Sequence, residues 1–225
     1  MSDFTAHLPG MLKNVSLVIV PLLLALTVHE ASHGLVAWWL GDPTAKRAGR
    51  LTLNPFKHLD PMGTLLPMIL LATGVRAVIG WAKPVPVNPG YFKNQNLGMM
   101  LVALAGPGSN FLLGLVFGQI LHLILILHST PQGASLDVLR WAANAAYYGV
   151  YINAALALFN LLPIPPLDGS NILAFFLPPQ ARARYMSVGR YGLLVVLVLA
   201  MTGLLGDIVG PLIESLASIL LPEGL

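Results

Sequence analysis

Long apolar runs with almost no charged side chain dominate this sequence. The first extends from residue 14 to residue 41 and contains one charged side chain, that of Glu30; further runs cover residues 97–127, 141–167 and 191–206. A helix needs about 20 apolar residues to cross the hydrocarbon core of a bilayer. We therefore expect an all-α polytopic membrane protein, a helical bundle of about four to six transmembrane segments.

The composition agrees with a membrane protein. Hydrophobic residues make up 56% of the chain and charged residues 9%, whereas a soluble domain is about 25% charged. The absence of cysteine excludes disulfide bonds, a cysteine nucleophile and thiolate metal ligands. The net charge of +3 comes from short loops, so we expect membrane lipid as a partner and no nucleic acid. We expect a single integral-membrane domain over residues 1–225, with a core at 14–175 and C-terminal helices at 187–221.

The loops between the runs indicate the orientation of the chain. Basic residues cluster in residues 41–60 and 178–190, and the positive-inside rule predicts that both loops are cytoplasmic in a multi-pass protein of the cell membrane. The apolar stretch 65–81 is near the lower length limit for a span and equally suits a re-entrant or interfacial segment. If residues 97–127 supply the one net crossing between the two ligand-bearing helices, this stretch must enter and leave on one side, as a re-entrant loop or hairpin. The prolines of residues 81–89 predict an extended loop or edge strand there.

The charged residue of the first run belongs to the motif His-Glu-Ala-Ser-His at residues 29–33. A charged side chain at the centre of a bilayer costs about 2.5–3.5 kcal/mol, which makes it a candidate for function. His29 and His33 are four residues apart, so they share one face of a helix and can bind one metal ion, while Glu30 can act on water. The motif therefore predicts a zinc hydrolase whose active site lies within the membrane.

A third metal ligand must come from elsewhere, because a catalytic zinc usually has three protein ligands and one open position. The candidates are Asp42, Asp60, Asp137, Asp168, Asp207, His7, His58, His122 and His128. Asp168 is favoured because three prolines precede it in residues 160–169 and Gly169, which permits an unusual backbone angle, follows it. Broken backbone at membrane depth must be buried in protein or line a wet cavity. His58 and Asp60, in a basic loop expected to be solvated, are the main alternatives.

Three motifs together resemble the site-2 proteases, the intramembrane zinc metalloproteases of peptidase family M50. They are HEASH at residues 29–33, AGPGSN at residues 105–110 and NLLPIPPLDG at residues 160–169. The resemblance covers about residues 27–169 and is most specific in the first and third motifs. It corresponds to a small form of the family without a PDZ or CBS domain.

The resemblance implies a set of site residues and an activity. His29, His33 and Asp168 would bind one Zn2+ per chain, and Glu30 would be the catalytic base. Asn160 would lie near the attacking water or the substrate carbonyl. The implied enzyme is a metalloendopeptidase that cleaves peptide bonds in or near transmembrane segments of membrane-anchored proteins or peptides, as in regulated intramembrane proteolysis.

Other classes of function remain open from the residues alone. The same ligands could serve a metal transporter, although transporters usually carry an internal repeat, which this sequence lacks. They could also hold a structural zinc in a protein without proteolytic activity, but no fourth ligand is evident. A serine protease could pair Ser109 with His122 or His128. The small residues of AGPGSN are expected to serve close helix packing rather than catalysis.

Overall fold

The computed structural model describes residues 2–63, 82–127 and 135–222. Apart from an isolated antiparallel bridge between Leu59 and Ala82, the regular structure in these ranges is helical. The named helices are α1 (Ser2–Trp39), α2 (Thr44–Arg47), α3 (Gln95–Leu127), α4 (Ser135–Asn160), α5 (Asp168–Phe176), α6 (Pro179–Ser187), α7 (Gly189–Met201) and α8 (Leu204–Leu220). The stretch 65–81, predicted to be re-entrant, lies outside the described residues.

Three described stretches are long and apolar enough to cross a membrane: Val15–Trp39, Gln95–Leu127 and Pro179–Met201. They confirm the prediction of an all-α membrane protein. Helix α4 has 26 residues and is about 39 Å long, but asparagine and tyrosine side chains interrupt its apolar surface. The total of four to six spans stays a prediction.

Helices α1, α3 and α4 pack against one another and form the core. Small residues allow this close approach: Gly114 and Gly118 of α3 are buried. A methyl group on Gly114 would lie 3.1 Å from the Leu220 side chain, and one on Gly118 would overlap the Leu220 carbonyl. Small residues at such positions allow helices to pack closely, and a larger residue here would push α8 away from the core.

The chain between α4 and α5 folds tightly around Gly169. Helix α4 ends at Asn160, where the proline-rich segment begins, and α5 starts at Asp168. The described glycines with positive φ are Gly41, Gly49 and Gly203, so the expectation of an unusual backbone angle at Gly169 was wrong. The physical reason for glycine is space, because a Cβ at residue 169 would overlap the Leu161 carbonyl.

As predicted, the proline-rich segment at residues 82–88 is not helical; it begins at the bridge between Ala82 and Leu59 and ends at Asn88, whose backbone is extended. Two buried side chains hold it against the bundle. Arg50 donates a hydrogen bond to the Lys83 carbonyl at 2.5 Å, and the carboxylate of Asp42 accepts one from the Asn88 amide at 2.7 Å. The segment is therefore fixed at both ends while its middle faces the interior.

Candidate active site

The side chains of His29, His33 and Asp168 converge where α1 and α5 both lie against α3. The two Nε2 atoms of the histidines are 3.0 Å apart. Asp168 Oδ2 lies 3.2 Å from Nε2 of His29 and 3.4 Å from Nε2 of His33. Both histidines are buried, and Asp168 is the first residue of its helix. Two residues on one helix and a third from a distant part of the chain thus form one compact donor set.

The other nitrogen of each imidazole has its own partner on α3. His33 Nδ1 lies 2.7 Å from the Val102 carbonyl oxygen, and His29 Nδ1 lies 2.6 Å from Asn110 Oδ1. A carbonyl oxygen only accepts hydrogen bonds, so each Nδ1 carries the hydrogen. Each Nε2 atom therefore directs a lone pair toward the other two donors, as in histidine that binds a metal.

These three donors fit a metal ion. Asp168 Oδ2 is buried and has no hydrogen-bond donor as a partner, because neither Nε2 atom carries a hydrogen. Three lone pairs facing one another at 3.0–3.4 Å would repel unless a cation lies between them. Tetrahedral zinc with ligands at about 2.0–2.1 Å separates neighbouring ligand atoms by about 3.3 Å, close to the observed distances. The site offers three protein ligands and leaves a fourth position for water or substrate.

The backbone of α3 lies directly against the two imidazoles at Gly106. A Cβ built on this residue would lie 2.5 Å from Cε1 of His29 and 2.5 Å from Nε2 of His33. A glycine is therefore required for α3 to approach closely enough to support both histidines. This is the packing role that was expected for the AGPGSN motif.

Glu30 is next to the donor set but does not belong to it. Its Oε2 atom accepts a hydrogen bond from the Val85 amide at 2.9 Å. The side chain lines a cavity of about 350 Å³, together with the donors and two amide side chains, Asn160 and Asn171. The other walls are apolar and come from Pro84, Val85 and Val87, from α3 and from the proline segment before α5. A carboxylate beside three converging donors in a cavity of this kind can act as a base on a water molecule.

Comparison with known proteins gives the family. Residues 119–203 match the family model of Peptidase family M50. "Putative zinc metalloprotease YwhC" of Bacillus subtilis (strain 168) is 38% identical over 200 residues, which cover 88% of this chain and 86% of that protein. This chain belongs to peptidase family M50. "Putative zinc metalloprotease Rip2" of Mycolicibacterium smegmatis is 33% identical over 187 residues, 83% of this chain and 67% of that protein. No solved structure matches.

Membership of the M50 family confirms the resemblance to site-2 proteases that the motifs indicated. It also confirms the expectation of a zinc-dependent metalloendopeptidase in a membrane. The structure adds that this M50 protein brings His29, His33 and Asp168 together, with Glu30 and Asn160 at the same cavity. All five residues singled out from the sequence therefore lie around one point, while their individual roles stay predictions.

Asn160 lies at the C-terminal end of α4. Its Nδ2 atom donates a hydrogen bond to the Leu156 carbonyl at 3.0 Å, which leaves its Oδ1 atom and second N–H for the cavity. Asn171, one turn after Asp168 on α5, lines the same cavity and was missed by sequence reasoning. The helical spacing after Asp168 could have indicated it, because residues three apart share a face.

The two main alternative ligands, His58 and Asp60, do not belong to the donor set. The group of His29, His33 and Asp168 is the one found in the part of the chain that the structure describes that could hold a metal. His58 was expected to be solvated but is 2% exposed, and its Nε2 atom contacts the Thr52 carbonyl oxygen at 2.9 Å. That prediction was wrong because the loop folds back on the bundle. Asp60 accepts a hydrogen bond from the Gly63 amide at 2.8 Å.

The serine alternative receives no support. The Ser109 hydroxyl donates to the Gly106 carbonyl of its own helix at 2.7 Å, which is a local helix contact. His128 lies outside the described residues. The Ser109 hydroxyl thus has a backbone partner, and no hydrogen bond to a histidine is found for it among the described residues.

Asn110 was not identified from the sequence as a site residue, although it is completely buried and contacts His29 of the donor set. The AGPGSN motif was interpreted as helix packing because of its small residues. The available signal was the amide itself, because a polar side chain within an apolar span needs a buried partner. The same argument that singled out Glu30 applies to Asn110.

Proposed function

We propose that this M50 protein is an intramembrane zinc endopeptidase that cleaves peptide bonds in or near transmembrane segments of membrane-anchored proteins. The observation that carries the proposal is the position of His29, Glu30 and His33 within an apolar helix. Glu30 precedes Trp39, the last residue of α1, by about 14 Å along the helix axis. Tryptophan favours the membrane interface, so Trp39 marks the end of the span. The distance from there to Glu30 is close to half of the roughly 30 Å hydrocarbon core, which places Glu30 near the middle of the membrane.

In this proposal His29, His33 and Asp168 hold the zinc ion. When bound there, zinc supplies an electrophilic centre that polarises the scissile carbonyl and makes water more acidic. Glu30 takes the proton from the attacking water and returns one to the leaving amine. Its hydrogen bond from the Val85 amide keeps the carboxylate oriented toward the cavity. Asn160 and Asn171 can donate hydrogen bonds to the substrate backbone.

The extended segment at residues 82–88 is suited to hold the substrate by strand addition. A helical substrate must first unwind, because its carbonyl groups are engaged in hydrogen bonds. In an extended chain alternate residues direct their backbone polar groups to the same edge. Val85 and Val87 line the cavity and share one edge, and the prolines at 84 and 86 alternate with them at positions where no amide hydrogen is needed. Because the Val85 amide is bonded to Glu30, an unwound peptide would pair with the Val87 amide on this edge.

The orientation of the chain is also part of the proposal. Loops 41–60 and 178–190 carry the clustered basic residues and are cytoplasmic in a multi-pass protein of the cell membrane. Helix α1 then runs from outside to inside and α3 runs back. Water reaches the donor set from the cytoplasmic side, through the cavity that residues 84–87 border.

The test is cleavage of a single-span model helix by the purified protein in lipid, with the wild type beside Glu30→Gln. We expect cleavage by the wild type alone and equal zinc content in both samples, because Glu30 is not one of the converging donors. Cleavage by Glu30→Gln at the wild-type rate would contradict the role of Glu30 as the base. Zinc flux across vesicles without any cleavage would instead support the metal transporter.

A further inference from the structure

Two buried asparagine side chains lie directly behind His29, on the side away from the cavity. Asn110 belongs to α3 and Asn153 to α4, and both are completely buried. Asn110 Nδ2 donates to Asn153 Oδ1 at 2.9 Å and to the Ala25 carbonyl of α1 at 3.3 Å. Its Oδ1 atom lies 2.6 Å from Nδ1 of His29. The three core helices therefore meet through one continuous set of amide hydrogen bonds.

Backbone carbonyls fix the direction of every bond in this set. The oxygen and nitrogen of an asparagine amide are assigned from their hydrogen-bond partners. Asn153 Nδ2 donates to the Gly149 carbonyl at 2.8 Å, so its Oδ1 atom must face Asn110. Asn110 must then turn its NH2 group toward Asn153 and Ala25 and its oxygen toward His29. Each amide oxygen thus has a partner within the protein, and each amide NH2 group donates at least one hydrogen bond there.

The orientation of these amides determines which nitrogen of His29 carries the hydrogen. Because Asn110 Oδ1 can only accept, Nδ1 of His29 is the donor and Nε2 retains its lone pair for the metal. A reversed Asn110 amide would direct an NH2 group at Nδ1 and place the hydrogen on Nε2 instead. His33 does not need such support, because a backbone carbonyl, which cannot rotate, holds its Nδ1 atom.

We propose that Asn110 and Asn153 are positioning residues for the metal site, and that Asn153 acts on His29 through Asn110. Asn153 does not border the cavity and contacts none of the three donors in the described structure. It prevents the Asn110 amide from reversing and so keeps His29 in the metal-binding tautomer. The inference rests on the proposed function insofar as the metal is zinc.

The experiment measures zinc affinity by competition with a chromophoric chelator, on the full-length protein in lipid nanodiscs. Asn110→Leu removes the acceptor for His29 and is expected to weaken zinc binding about 10–100-fold, as loss of such outer partners does. Asn153→Leu is expected to weaken it by a smaller factor. The double variant should be no weaker than Asn110→Leu alone, because Asn153 has no separate route to the site. If the losses of zinc affinity in the two single variants multiply in the double variant, Asn153 acts independently of Asn110 and the proposed route is overturned.

Two matched variants separate positioning from folding. Asn153→Asp is nearly isosteric, and its neutral form can accept from Asn110 and donate to the Gly149 carbonyl. We expect it to restore wild-type zinc affinity. Asn144→Leu makes the same change on the same helix at an exposed position and should leave the affinity unchanged. Wild-type affinity in Asn153→Leu, or equal losses in its Asp and Leu variants, would overturn the inference.

Failure of this inference and failure of the proposed function give different results. If the wild type binds no zinc, the proposed zinc site itself is wrong. If the wild type binds zinc and cleaves but Asn153→Leu binds zinc equally well, only the role of Asn153 is wrong. Thermal unfolding of each variant is recorded in parallel, because a general loss of packing would lower the midpoint without the predicted rescue by aspartate.

Discussion

At the scale of single residues, the two histidines of the donor set are held in different ways. His33 depends on the backbone of α3, whereas His29 depends on side chains of two further helices. A backbone carbonyl is present whatever the residue at position 102, but the support for His29 can be removed by substitution. We therefore expect the metal site to be most sensitive to change on the side of His29.

The carboxylate of Asp168 is expected to be essential for zinc binding. Asp168→Asn keeps the size of the side chain but replaces the carboxylate, whose Oδ2 atom is buried and without a hydrogen-bond partner, by a neutral amide. Zinc affinity should fall by more than the roughly 10–100-fold that loss of an outer partner costs. The measurement is zinc content after dialysis, with Asp137→Asn on the exposed surface of α4 as the control. Retention of full zinc by Asp168→Asn would exclude it as a ligand.

Space at Gly106 is a second requirement at this scale. Gly106→Ala would place a methyl group 2.5 Å from both imidazoles, and such overpacking costs about 1–3 kcal/mol. We expect weaker zinc binding and a lower unfolding temperature. Gly108→Ala is the matched control, since a Cβ there has no neighbour within 4 Å. Equal behaviour of the two variants would show that α3 can shift without affecting the histidines.

At the scale of structural elements, the extended segment at residues 82–88 has two separate tasks. It donates the Val85 amide to Glu30 and borders the cavity where the substrate is proposed to bind. The prolines predicted that the segment is an extended loop or edge strand, but not which side chains attach it to the helical bundle. The attachment depends on Arg50 and Asp42, which lie far from it in the sequence and whose burial no local pattern indicates.

Removal of one amide hydrogen tests the strand-addition step. Val87→Pro eliminates an N–H on the edge proposed to pair with the substrate but leaves the contact between Val85 and Glu30 in place. We expect slower cleavage of a transmembrane model substrate at unchanged zinc content. Val87→Ala, which keeps the amide hydrogen, should be close to the wild type. If Val87→Pro cleaves as fast as Val87→Ala, the substrate does not pair with this edge.

The anchoring of this segment by Asp42 should depend on pH. Burial raises the pKa of Asp42. Hydrogen bonds from the Thr44 hydroxyl and from the amides of Asn88 and Thr44 lower the pKa by more than burial raises it, so the pKa lies below its usual value. Because the folded pKa is depressed, the stabilisation is present above the unfolded pKa of about 3.9 and is lost as the pH falls toward the folded value. Unfolding midpoints between pH 6 and about pH 3 should therefore decrease more for the wild type than for Asp42→Asn. Parallel curves would contradict this.

At the scale of the whole molecule, the apolar runs and motifs were enough to predict a helical membrane protein and its donor residues. Charge-free runs of about 20 residues or more indicate membrane-spanning helices. A histidine pair four residues apart on such a helix indicates metal binding. Asn110, Asn153 and Asn171 were not predicted, because their roles depend on which faces of different helices meet. Gly169 was interpreted through its backbone angle, whereas contact between α4 and α5 requires the small residue.

The orientation of the whole molecule can be tested directly, because the chain has no cysteine. Phe56, 81% exposed in the basic loop after α1, and Leu127, 65% exposed at the end of α3, are suitable sites for single cysteines. Helix α3 has 33 residues and is about 50 Å long, more than the roughly 30 Å hydrocarbon core. We expect an impermeant maleimide to label Leu127→Cys from outside intact cells and Phe56→Cys only after the membrane is opened. Labelling of both from the same side would mean an even number of membrane crossings between residues 56 and 127, which contradicts the proposed path of a re-entrant stretch 65–81 followed by one crossing in α3.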